Sequence, residues 1–98
     1  MKKKLKAIIE KYNSLSEQMA DQAVLADQNK LTAIAREHRS LEEIVNVGEN
    51  YINIINQIDD VNEILKENDK EFQQIAQEEI TNLSQEKEKL EDKIKVLL

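Results

Sequence analysis

Between residues 5 and 19 the apolar positions Leu5, Ile8, Tyr12, Leu15 and Met19 alternate spacings of three and four. That rhythm puts all five on one stripe of an α-helix and predicts a first helix ending near residue 20. Asp21 and Asp27 then bracket Gln22-Ala23-Val24-Leu25-Ala26, where the spacing breaks. Each aspartate can accept hydrogen bonds from the free amides of a helix start, so the segment reads as a corner holding at most one short turn.

From about Gln28 the apolar positions resume as Leu31, Ile34, Leu41, Ile44, Val45, Tyr51, Ile52, Ile54, Ile55, Ile58, Val61, Ile64 and Leu65, with no proline or polar cluster to stop them. One long helix over residues 28–67 follows, about 60 Å of it at ~1.5 Å rise per residue, so it must project beyond a compact core. Gly48 falls in its middle, where glycine costs ~1 kcal/mol relative to alanine. The expected reason is a bend or, preferably, the close approach of another backbone.

Asn68-Asp69 is the sharpest remaining break, with Asp69 placed as an N-cap and Glu71 in the first turn, where the helix dipole favours negative charge. After it Ala76, Ile80, Leu83, Lys87, Leu90, Ile94 and Leu97 keep four-three spacing, a coiled-coil seam with one lysine in it. Two long helices joined by so short a turn must lie antiparallel. The predicted fold is all-α: an elongated antiparallel bundle or hairpin of two long coiled-coil-like helices, with a shorter N-terminal helix covering one end.

Composition narrows this without changing it. The 98 residues suit a single domain and are too few for two cores. One glycine, no proline and three aromatics leave out the turn-rich β-folds and require a thin aliphatic core. The basic start Lys2-Lys3-Lys4-Leu5-Lys6 has no apolar stretch after it, so it reads as a mature N-terminus rather than a signal peptide. No window approaches the ~20 apolar residues of a membrane span, so a soluble protein with no membrane partner is expected, and the absence of cysteine suits a cytoplasmic one.

The net charge of −6 is uneven: residues 1–48 carry eight basic and seven acidic groups, residues 49–98 six and thirteen. An acidic second half repels phosphate backbones, which confines any nucleic-acid contact to the first half. There Lys2, Lys3, Lys4, Lys6 and Lys11 read as a solvated rim. Arg36 and Arg39, one helical turn apart, are the better candidate pair for an anionic partner.

Catalytic and metal chemistry lack their residues. Zinc has no cysteine, and the one histidine, His38, follows Glu37 directly, without the spacing of a carboxylate di-metal bundle. Lying between Ile34 and Leu41 on the apolar stripe, His38 reads as a partly buried packing residue. The adjacent acids Glu42-Glu43, Asp59-Asp60, Glu78-Glu79 and Glu91-Asp92 point about 100° apart on a helix and do not converge. The reading is a binding module with no metal, no cofactor and no enzymatic activity of its own.

Several segments in order resemble one family. These are Asp21-Gln22-Ala23-Val24-Leu25-Ala26-Asp27 leading into a long helix with Ala35-Arg36-Glu37-His38-Arg39-Ser40-Leu41, then Ala76-Gln77-Glu78-Glu79-Ile80, Leu90-Glu91 and the closing Val96-Leu97-Leu98. Together they resemble the N-terminal domain of the bacterial peptide chain release factor 1 family, the class I translation termination factors. The resemblance implies a docking domain of a longer factor that recognises stop codons and triggers peptidyl-tRNA hydrolysis. The family's codon-reading and glycine-glycine-glutamine motifs would lie beyond residue 98, and the apolar ending agrees with a cut at a domain boundary. It also implies the ribosome as partner, at the large-subunit stalk-base region, and communication with the class II release factor GTPase. In full length, ribosomal RNA, the mRNA stop codon and peptidyl-tRNA join them.

The face bearing Arg36 and Arg39, and the helical reversal at Asn68 and Asp69, are the expected contact sites. The leading alternative is a free-standing coiled-coil adaptor or a prefoldin-like chaperone subunit, which would oligomerise through an exposed seam. A tRNA-binding arm like that of seryl-tRNA synthetase would need a basic tip, and the tip here reads Lys66-Glu67-Asn68-Asp69-Lys70-Glu71.

Overall fold

A computed structural model describes residues 1–67 and 69–98. The described residues form four helices in the order α1 (Lys2–Met19), α2 (Gln22–Leu25), α3 (Gln28–Leu65) and α4 (Lys70–Leu97), and no strand occurs among them. The fold is all-α. Two packing units divide it, Met1–Glu49 and Asn50–Leu98, and α3 contributes to both.

In the first unit α1 lies antiparallel to the opening half of α3. The short helix α2 exists because Asp21, in an extended conformation, accepts a hydrogen bond from Ala23 N–H at 2.8 Å. Asp27 does the same for Lys30 N–H at 3.2 Å at the start of α3. Both aspartates thus satisfy amides that have no partner within their own helix. Leu15 from α1, Val24 from α2 and Ile34 from α3 close a buried cluster, flanked by Met19, Leu31 and Leu41.

Gly48 explains itself by a different contact from the one expected. Its φ is ordinary, and what approaches is the Leu5 side chain, not a backbone. A methyl group at position 48 would lie 3.0 Å from Leu5 Cδ2, and Leu5 is only 1% exposed.

In the second unit the chain reverses between Leu65 and Lys70, and the closing half of α3 packs antiparallel to α4. Ile54, Val61, Ala76 and Leu83 form its buried cluster, with Ile58, Leu65, Ile80 and Leu90 packed against it. The four-three seam of α4 is therefore the buried face, and Lys87 is half-buried on it, an arrangement in which the aliphatic stem packs while the ammonium reaches water. The long helix ends two residues before the expected 67, because the amides of Lys66 and Glu67 reach back three residues, to Glu63 and Ile64. That pattern tightens the chain and stops the α-helix. Asp69 caps α4 as predicted, accepting from Glu71 N–H at 3.0 Å.

Candidate functional site

The first candidate surface begins with a histidine that faces inward. His38 stacks on Tyr12 of α1, with ring centroids 4.0 Å apart and planes 18° from parallel. Ser16 Oγ sits 2.8 Å from His38 Nε2 and 3.2 Å from the Tyr12 carbonyl oxygen. A hydroxyl carries one proton, so when Ser16 donates to the carbonyl the ring N–H of His38 donates to Ser16 Oγ, and both groups are satisfied. Beside the stack Lys11 Nζ meets Glu37 Oε1 at 2.7 Å. An exposed ion pair of this kind contributes roughly 0–1 kcal/mol, so registry rather than stability is its main effect.

These contacts set the rotation of α3. With His38 turned toward α1, Arg39 is displaced by about 100° around the helix and Arg36 by about 160°, which points both at solvent. Both are exposed. They line a shallow groove with Leu31, Thr32 and Ala35, an apolar floor with two guanidinium groups at its edge. Among the described residues neither arginine pairs with a carboxylate. A guanidinium fork without an internal partner suits bidentate contact with phosphate or carboxylate oxygens.

The sequence singled out the arginines and missed the floor. Its signal is the i, i+4, i+8 run Leu31, Ala35, Arg39 beside the i, i+4 pair Thr32, Arg36. The stack also went unseen, because Tyr12 and Ser16 lie far from His38 in sequence and only the antiparallel pairing joins them.

The second candidate surface is the reversal. Asp69 spends its carboxylate on capping α4, and the Gln73 side-chain amide donates to the Glu67 carbonyl at 2.8 Å. Asn68 lies outside the described residues. Arg36 and Arg39 belong to the first unit and Asp69 to the second. Elsewhere in the second unit Tyr51 is buried, and its phenol is pushed above its ordinary range, first by burial and then by the negative charge and hydrogen bonding of Glu91. Among the described residues no group of three or more potential ligands could hold a metal ion. Nor, among the described residues, is any helix long and apolar enough to cross a membrane.

Comparison with known proteins places this architecture. The PCRF domain model matches residues 8–98. The chain is 38% identical to peptide chain release factor 1 of Enterococcus faecalis over 95 residues, covering 96% of this chain and 27% of that protein. It is 37% identical over 99 residues to the protein of the same name from Halalkalibacterium halodurans, covering all of this chain and 28% of the relative. With peptide chain release factor 1 of Nitratiruptor sp. it shares 35% over 98 residues, again all of this chain and 27% of the other. The chain thus spans a little over a quarter of the length of the curated relatives it matches. No solved structure matches it. A family match that runs through both packing units, joined to relatives that agree along almost the whole chain, makes this chain a member of the PCRF domain family, akin to bacterial peptide chain release factor 1.

Proposed function

We propose that this chain works as the N-terminal docking domain of a translation termination factor, binding the ribosome in the cytoplasm while stop-codon reading and peptidyl-tRNA hydrolysis belong to other parts of the factor. The observation that carries the reading is the unbroken similarity to bacterial peptide chain release factor 1 over nearly the whole chain. The large-subunit stalk-base region is the docking place, and the class II release factor GTPase is the partner with which the domain communicates. The chain's own residues act by surface complementarity and need no cofactor.

The groove edged by Arg36 and Arg39 is the surface best suited to an acidic or phosphate-bearing partner. In co-sedimentation with 70S ribosomes, Arg36→Glu combined with Arg39→Glu weakens association by about tenfold, since two contacts turn repulsive. Both positions are exposed, so thermal melting stays unchanged. A double variant that binds as tightly as the unaltered chain removes this face from the interface.

A further inference from the structure

The groove beside Arg36 and Arg39 is more selective than its two charges imply. Its floor is made by Leu31, Ala35 and the Thr32 side chain. Leu31 and Ala35 are half-buried, so each keeps some apolar surface open to the groove. The Thr32 hydroxyl is already spent, donating to the Gln28 carbonyl at 2.8 Å. A hydroxyl has one proton to give, so Thr32 brings no donor to a ligand there. Arg36 and Arg39 stand three residues apart on α3, which sets their Cβ atoms ~5–6 Å from each other.

These features decide between the anionic partners. RNA suits the groove poorly. Unpaired bases bind by stacking on aromatic rings, and the aromatic rings of this unit, Tyr12 and His38, are stacked on one another. A phosphate backbone is held by several cations in a row. Between residues 28 and 43 the arginines are joined only by Lys30, against Glu37, Glu42 and Glu43. Lys11, which α1 contributes beside the stack, is held by Glu37 at 2.7 Å. A second copy of the same groove would set guanidinium against guanidinium. What fits is a protein segment with an apolar side chain for the floor and carboxylates for the rim. An acidic amphipathic helix carries both, since carboxylates at i and i+3 or i+4 repeat the spacing of the arginines, and each can accept a forked pair of hydrogen bonds from a guanidinium.

We propose that this groove takes an acidic amphipathic segment of a ribosomal protein, with an apolar side chain on Leu31 and Ala35 and two carboxylates on Arg36 and Arg39, and that it does not bind ribosomal RNA. The ribosome as the source of that segment rests on the docking function proposed above. The choice of acidic protein over RNA rests on the groove.

Thr32→Leu separates the two chemistries, because it widens the apolar floor without changing the charge. Position 32 is exposed and leucine is the better helix former, so the fold is kept. When 70S ribosomes are titrated against the fluorescently labelled 98-residue chain, Thr32→Leu tightens binding about threefold, as more apolar area leaves water. Alongside it, Thr32 is replaced by the photo-crosslinker p-benzoylphenylalanine and the chain is irradiated on 70S ribosomes. The expected adduct survives ribonuclease and is trimmed by protease to a peptide rich in aspartate and glutamate. An adduct to RNA or to a basic peptide, or an affinity that Thr32→Leu leaves unchanged, overturns the acidic segment and leaves ribosome docking standing. If the unaltered chain does not bind 70S ribosomes, the docking function falls and this inference falls with it.

Discussion

Leu83→Asp unfolds the second unit. Leu83 is 7% exposed and packs with Ile54, Val61 and Ala76 in a buried cluster of that unit. Removing the leucine costs about 2–5 kcal/mol in lost burial and cavity. None of the clustered side chains can pair with the carboxylate that replaces it, and Lys87, one turn along the seam, meets it only at the cluster's edge with its ammonium toward water, so the carboxylate must either stay charged in a largely apolar site or take up a proton, which adds up to several kcal/mol. The total is comparable to the ~5–15 kcal/mol that holds a typical domain together. Far-ultraviolet circular dichroism should show much of the helical signal lost at 25 °C, and amide exchange should show α4 unprotected. A variant that melts like the original would mean that the face of α4 has been misassigned.

Gly48→Leu destabilises the first unit. Two effects compete at this position. Leucine is the better helix former by just under ~1 kcal/mol. Against this, its first side-chain carbon already comes within 3.0 Å of Leu5 Cδ2, with Leu5 Cβ and Cγ at 3.7 Å. The methyl it meets is the mobile end of a side chain, but Leu5 is 1% exposed and has little space into which to swing. Overpacking of that kind costs ~1–3 kcal/mol or more, so three further carbons should leave a net loss on the order of 2 kcal/mol. Thermal melting measures it. Leu5→Ala in the same molecule should recover part of the loss, because the space the new side chain needs is then open, and an additive pair would show that the two positions do not touch.

The helices were legible because their periodicity and their caps agree. Asp21, Asp27 and Asp69 each stand one residue before a helix and each accepts an amide there, so residue type alone located three starts. The Leu65 end was less legible, since it depends on which carbonyl each amide chooses, and no residue type marks that choice. Pairing between helices was legible only in outline. An apolar stripe says that Leu5, Leu15 and His38 face inward and does not say what they meet. Gly48 was expected against a backbone and meets a side chain for that reason. The candidate site divides the same way: Arg36 and Arg39 stand out as a charged pair on one face, whereas the groove floor and the Tyr12–His38 stack follow from three-dimensional register. Phe72 and Ile75 carry a different lesson. Phe72 stands four residues before buried Ala76 and Ile75 one residue before it, yet both stay exposed, and only their exposure in the folded chain separates them from core.

Docking on the ribosome as part of a termination factor is the claim to which these features lead, and competition binding tests it most directly. The fluorescently labelled 98-residue chain is titrated with 70S ribosomes, and intact bacterial peptide chain release factor 1 is then added. The account predicts saturable binding that the intact factor displaces. Absence of binding, or binding that excess release factor 1 leaves in place, would contradict it.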